Sequence, residues 1–290
     1  MAHVDEEIAS QPDCWQRALE LAPQHLPEPG ERVAVIGCGT SLYIAQAYAA
    51  LRESLGHGET DAFAASEFPL GRRYDRIVAL TRSGTTTEVL DALARVGGTE
   101  TVAITADPGT PVGAAARHLV ALEFADERSV VQTRFATTAL VLLRAHLGAA
   151  PADLPAQART ALADPLPRGA LEARQFTFLG TGWSCGVANE AALKVREASA
   201  AWTEAYPAME YRHGPISVSG PEGLVWFLDT PPAGLVDQAG ATGAAVSVPG
   251  LDPLAELVRI QRLAVGLAVR RGLDPDRPRH LTRSIVLDQP

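Results

Sequence analysis

Residues 81–86, Thr-Arg-Ser-Gly-Thr-Thr, put hydroxyls at Thr81, Ser83, Thr85 and Thr86 around one glycine, between the apolar run 76–81 and a helical pattern over 86–96. Short hydroxyls donate to anionic oxygens. A helix start leaves its first backbone N–H groups without internal acceptors and under partial positive charge. Such a loop can hold a phosphate. The alternative is a helix cap, with Ser83 or Thr85 capping and Glu88 closing a capping box. A cap needs one hydroxyl and this stretch carries four, so phosphate binding is expected. A second glycine turn, Gly37-Cys38-Gly39-Thr40-Ser41, precedes another helical pattern. It has two glycines of a dinucleotide fingerprint, but Leu42 stands where the third would be. No acidic residue closes a following strand, which disfavours a nucleotide and a nicotinamide-dependent oxidoreductase.

A second concentration of chemistry lies at 189–215, with Glu190, Lys194, Arg196, Glu197, Glu204, Glu210, Arg212 and His213. On a helix, positions 190, 194 and 197 share one face. The plain reading of Glu190 and Lys194 is a surface ion pair worth a few tenths of a kcal/mol. The other is acid–base chemistry, for which His213, set in a His-Gly-Pro turn, supplies a second group. Residue types alone leave His213 open between a structural and an acid–base role.

The elements that must position these residues repeat. Aligning Gly37 with Gly180 gives an offset of 180 − 37 = 143 residues, and pairs Gly39 with Gly182, Ser41 with Ser184, Ala45 with Ala188 and Ala49 with Ala192. Each copy reads as strand, glycine turn, then a helix with a small-residue face. Further strands are predicted at 76–81, 101–105, 118–124, 223–229 and 243–249, and helices at 86–96, 133–147 and 254–271. The alternation predicts two doubly wound α/β domains, parallel sheets with helices on both faces. Ligands of such sheets sit at the carboxyl ends of strands where strand order reverses, the places of Gly37–Ser41 and Thr81–Thr86. An N-terminal helical segment over 1–29, a first domain over 30–150 and a second over 151–290 follow, with the Ala- and Pro-rich stretch 148–158 as linker. The offset carries residue 81 to 81 + 143 = 224, where no hydroxyl cluster stands, so one phosphate site per chain is expected.

The chain has 290 residues, 47% hydrophobic and 20% charged, enough for a sizeable core. Its net charge of −9 argues against non-specific nucleic-acid binding, which needs Lys and Arg to neutralise phosphates. Cys14, Cys38 and Cys185 show no metal-ligand spacing and cannot pair completely, as in a reducing compartment. The start MAHVDEEIASQPD lacks the apolar core of a signal peptide. No apolar run reaches the ~18 residues of a membrane span. A cytoplasmic protein without metal, cofactor, membrane or nucleic-acid partner is expected.

Taken together, "GCGTS", "RSGTTTE", "ALKVREASAAWTEAYPAMEYRHGP" and the tail "DPDRPRHLTRSIVL" (274–287) resemble the sugar isomerase (SIS) domain family. The likeness is strongest to the isomerase portion of glucosamine-6-phosphate synthase and the related amino-sugar-phosphate isomerases and deaminases. It implies two tandem SIS domains, each a three-layer αβα, flavodoxin- or Rossmann-like unit. It assigns Thr40, Ser41, Thr81, Arg82, Ser83 and Thr86 to the sugar phosphate. Glu197 takes the place of the base that moves a proton between C1 and C2, Lys194 that of a neighbouring active-site lysine, and His213 that of the ring-opening histidine. In the family that histidine reaches a neighbouring subunit, which implies a homodimer. Val130 and Gln132 fall on the loop that contacts sugar hydroxyls.

The departures from the pattern narrow the reading. Residue 2 is Ala2 rather than cysteine, so glutamine-dependent amidotransfer by this chain alone is not expected. The family's imine-forming lysine corresponds to Arg283, which stays protonated and cannot form an imine but can still hold substrate. Arg82 adds a positive charge beside the loop, and Gln132 replaces a small hydroxyl residue. The expected activity is aldose–ketose isomerisation of a hexose or amino-hexose 6-phosphate through an enediol(amine), with or without release of ammonia. A non-catalytic phosphosugar-binding regulator is the alternative.

Overall fold

The computed structural model describes residues 2–287; the ends of the 1–29 and 151–290 bounds, Met1 and 288–290, lie outside the described residues. In chain order the elements begin with α1 (His3–Ala9), α2 (Gln11–Glu20), β1 (Val33–Gly37), α3 (Thr40–Ser54), β2 (Thr60–Ala64), β3 (Arg76–Leu80) and α4 (Thr87–Arg95). They continue with β4 (Glu100–Thr105), α5 (Val112–Ala115), β5 (His118–Ala121), α6 (Arg134–His146), α7 (Leu154–Ala163), β6 (Gln175–Gly180) and α8 (Ser184–Ser199). The last are β7 (Trp202–Pro207), β8 (Gly223–Phe227), α9 (Leu235–Ala241), β9 (Ala245–Ser247) and α10 (Pro253–Arg270).

The two sheets have strand orders β2-β1-β3-β4-β5 and β7-β6-β8-β9, with every pairing parallel. Parallel strands buried on both faces are written as continuous apolar runs. β1 (VAVIG) and β8 (GLVWF) follow that rule and are buried at every position. β6, β7, β8 and β9 stand in the order of β1, β2, β3 and β4; β5 has no counterpart.

By compactness the chain divides into two units that are not continuous in sequence. One, the first-sheet unit, contains Asp13–Glu127, Arg134–Ala150 and the C-terminal stretch from Thr282. The other, the second-sheet unit, contains the N-terminal stretch to Pro12, Arg128–Thr133 and Pro151–Leu281.

In the first-sheet unit, Ala34, Ile36, Ile77, Ala79 and Ala103 face one side of the sheet and pack with Val89, Ala92 and Leu93 of α4 and Val112 of α5. Alternate residues point to the opposite face, where α3 packs on the strands and on α6. In the second-sheet unit, Leu179, Val225 and Phe227 pack against Leu235 and Ala239 of α9, while α8 lies on β6 and β7 and against α10. α8 can approach that closely because Ala188, Ala191 and Ala192 occupy its buried face.

Candidate functional site

In the first-sheet unit, β2 and β3 flank β1 on opposite sides, so strand order reverses there, and the loops into α3 and α4 leave from adjacent strands. This is where doubly wound sheets open a crevice for ligands. Gly37 is required by close approach: a Cβ there would stand 2.7 Å from the Ser41 Cβ and 2.8 Å from its backbone carbon. Gly39 turns the chain into α3 with φ 55°, and no side chain caps that helix. α4 likewise begins after Thr86 without a side-chain cap bond, so the cap that Ser83 or Thr85 could form with Glu88 is not made.

The hydroxyls serve the turn instead. Thr81 Oγ1 accepts the Gly84 N–H at 3.2 Å and Ser83 Oγ accepts the Thr85 N–H at 3.3 Å. A hydroxyl that accepts still has its own hydrogen to donate. The hydroxyls of Ser41 and Thr86 make no hydrogen bond among the described residues, while Thr85 Oγ1 meets Ser284 Oγ at 2.8 Å. Two helix starts without side-chain caps, with donor hydroxyls beside them, can hold an anion. Thr40, the first residue of α3, is buried. The Cys38 thiol in the same turn has its pKa pushed up by burial and then by the nearby Glu88 carboxylate.

The charge that Arg82 brings is balanced within the unit. Its guanidinium is buried, pairs with the buried Glu127 at 3.4 Å and donates to the Arg283 carbonyl at 3.0 Å. Arg283 in turn donates to the Glu127 carbonyl and to Asp126 Oδ1 at 2.6 Å. The tail then runs along the start of α4, where the Thr87 N–H donates to the Ile285 carbonyl at 3.1 Å and the Leu287 N–H to Thr87 Oγ1 at 2.9 Å. Sequence reasoning missed Glu127, which carries no motif and shows itself only through burial.

The second-sheet unit holds the residues expected to carry acid–base chemistry. On α8 the Lys194 ammonium lies 3.4 Å from Glu190 Oε1 and also bonds the Glu197 carboxylate. The pair of Glu190 and Lys194, expected on the surface, is buried instead: their side chains are 0% and 1% exposed, against 20% for Glu197. Small residues along α8 let the helix sink far enough to take both groups with it. Glu197 lines a cavity of about 530 Å³. His213 ends a short 3-10 turn (Glu210–His213) before Gly214, whose φ is 135°. It is exposed, makes no hydrogen bond among the described residues and does not line the Glu197 cavity.

In the same unit the Val130 N–H donates to the Asp276 carbonyl at 3.1 Å, and Gln132 Oε1 is a buried acceptor without a partner among the described residues. The segment is braced by Glu7, whose carboxylate accepts the N–H groups of Arg128 at 2.5 Å and Ser129 at 3.2 Å and the Ser129 hydroxyl. Glu7 was also missed; it shares its helix face with Val4 and Ile8, which gave a faint sign of burial. At the repeat of the cradle turn, Ser184 Oγ accepts the Thr181 N–H at 2.7 Å and donates to the Thr181 carbonyl at 2.9 Å, so this hydroxyl is used up locally. Among the described residues no three His, Cys, Asp or Glu side chains are grouped as metal ligands. No helix among them is long and apolar enough to cross a membrane.

Comparison with known proteins shows what the chain is similar to. The SIS domain family model matches residues 28–147. Glutamine–fructose-6-phosphate aminotransferase (isomerizing) of Gloeobacter violaceus is 30% identical over 89% of this chain and 52% of its own length. The enzyme of the same name from Methanothermobacter thermautotrophicus is 28% identical over the same shares. The chain thus spans about half the length of the curated relatives it matches. Among solved structures, glucosamine-6-phosphate deaminase from Thermotoga maritima superposes with a TM-score of 0.81 at 24% identity, covering 99% of this chain and 100% of that one. Tagatose-6-phosphate ketose/aldose isomerase from Escherichia coli gives 0.76 at 19% identity over 99% and 96%. At these identities the two structures establish the fold.

Proposed function

We propose, on the premise that residues 28–147 belong to the SIS domain family, that this chain is a phosphosugar isomerase or deaminase acting on a hexose or amino-hexose 6-phosphate. The observation that carries the reading is the pair of uncapped helix starts at the reversal of strand order, lined by the donor hydroxyls of Ser41, Thr81, Ser83 and Thr86. Their N–H and O–H donors suit a phosphate dianion, with Glu88 in the first turn of α4 as an acid beside them. The second sheet is read as a second, diverged SIS domain, supported by its matching strand order and by Gly182 at φ 56° against 55° for Gly39.

Glu197 is the proposed proton carrier. Its carboxylate takes the proton from C2 of the open-chain aldose; the C–H pair forms the C1–C2 double bond, and the carbonyl pair moves to O1, which is protonated. Return of the proton to C1, with loss of the proton on the C2 hydroxyl, gives the ketose. With an amino group at C2 the same steps give an imine, whose hydrolysis releases ammonia. General acid–base transfer of this kind contributes about 10²–10⁴-fold. Lys194 is the positioning residue that holds Glu197. His213 is assigned to ring opening in a homodimer, a role supported by its exposure and lack of partners. Arg283 has no imine-forming amine, so covalent capture of a ketose is not part of the reading.

The test is turnover of glucosamine 6-phosphate and fructose 6-phosphate by wild type and Glu197→Gln. Conversion that falls about 10²-fold or more in the variant, with binding intact, supports the assignment. A wild type that binds these sugars and converts none is the phosphosugar sensor, the second reading, which the loss of the imine-forming lysine favours.

A further inference from the structure

The cavity of about 530 Å³ beside Glu197 carries a charge pattern that the transfer of a proton between carbons does not need. Its wall holds two acids, and both are engaged: Glu197 bonds Lys194, and Asp274 Oδ1 accepts the Asp276 N–H at 2.9 Å. It also holds Arg277 and Arg279, and neither guanidinium makes a hydrogen bond or ion pair among the described residues. Arg196, on the same wall, donates to the Thr203 carbonyl at 3.1 Å, and His280 sits between Arg279 and Leu281 in left-handed backbone at φ 66°. Both arginines are exposed, so their guanidinium groups are open to a ligand entering the cavity. Each guanidinium presents a planar fork of donors that matches carboxylate or phosphate and has no acceptor of its own. The volume is within the range of small-molecule sites.

We propose that this cavity is an anion site in its own right, in which Arg277 and Arg279 bind a compact oxyanion, a carboxylate or a phosphate, beside Glu197. The site rests on the cavity and its unmatched arginines and stands whether or not Glu197 transfers a proton. The oxyanion has two sources, a second acidic group on the sugar substrate or a separate small anion.

Calorimetric titration of the full chain with inorganic phosphate, fructose 6-phosphate and fructose 1,6-bisphosphate tests it. The variants are Arg277→Ala/Arg279→Ala, Arg277→Lys/Arg279→Lys as the charge-conserving control, and Ser83→Ala/Thr86→Ala for the cradle. The double alanine variant is expected to weaken inorganic phosphate binding by about tenfold or more at one site, the size of a lost charge-assisted bond. The lysine variant restores part of it, and fructose 6-phosphate binding stays within about twofold. A bisphosphate that outbinds the monophosphate only while the arginines are present makes the oxyanion part of the substrate. Inorganic phosphate bound alongside fructose 6-phosphate makes it a separate ligand. If the double alanine variant binds phosphate and bisphosphate as wild type does, the cavity holds no anion and the proposal is wrong. Failure of the cradle is read separately, as fructose 6-phosphate binding indifferent to Ser83→Ala/Thr86→Ala.

Discussion

Replacing Lys194 by methionine is the sharpest perturbation the second-sheet unit offers. The change keeps the length of the side chain and removes the ammonium, leaving Glu190, 0% exposed, without the cation 3.4 Å away. Breaking a buried ion pair at one partner costs about 3–5 kcal/mol, because the remaining charge stays in a poorly polarisable surrounding. Glu197, with 20% of its side chain exposed, can turn to water and adds less. At about 2–4 °C per kcal/mol for chains of this size, Lys194→Met should lower the melting temperature by roughly 6–20 °C. Removing the acid as well, in Glu190→Leu/Lys194→Met, replaces the pair by apolar groups and should recover about 2 kcal/mol or more, since such swaps are often neutral. Thermal melts followed by circular dichroism measure both. A single variant melting within about 2 °C of wild type, or a double variant no more stable than the single, refutes the claim that Lys194 neutralises a buried carboxylate.

Three further outcomes follow from the geometry. Gly180→Ala puts a Cβ 2.3 Å from the Ser184 carbonyl oxygen, against 2.7 Å from the Ser41 Cβ for Gly37→Ala. Both should lower the urea midpoint by about 1–3 kcal/mol equivalent, Gly180→Ala more, and equal midpoints to wild type would show that the turns relax freely. Arg76 hydrogen-bonds Glu31 and holds its carboxyl below the usual 4.5. That contribution is complete above the unfolded pKa and disappears as pH falls through the folded one. Glu31→Gln should therefore cost on the order of 1 kcal/mol at pH 7 and nothing in strong acid, and a penalty independent of pH would count against it. With its pKa raised by burial, Cys38 should alkylate several-fold more slowly than a free thiol at pH 8, read by peptide mass spectrometry; reaction at the free-thiol rate would contradict its packing.

How much was legible in the chain depended on where each residue ended up. β1, β3, β4, β6 and β8 announce themselves as apolar runs because they are flanked on both sides within their sheets. β2 and β7 escaped notice. Both are edge strands, as β5 and β9 also are, but Thr-Asp-Ala-Phe-Ala and Trp-Thr-Glu-Ala-Tyr-Pro have neither a run nor an alternation; Pro207, which has no N–H to donate, is tolerated on an edge. The strand expected to reach residue 124 stops at Ala121, and Glu123–Ala125 turn into a 3-10 helix. Spacing showed that 190, 194 and 197 share a face, but not that the face is buried, because depth is set by what α10 brings against α8. The partnership of Arg82 with Glu127 joins positions 45 apart with no periodicity to connect them.

The interleaving of the two units has a consequence for anyone who would take the protein apart. A fragment stopped at Ala150 would carry off Arg128–Thr133, which belong with the later sheet, and a fragment begun at Pro151 would take away the strand of tail that lies along α4. Neither piece is a smaller version of the whole. The two units interleave along the chain, so halves cut at residue 150 are expected to rebuild the fold only when supplied together.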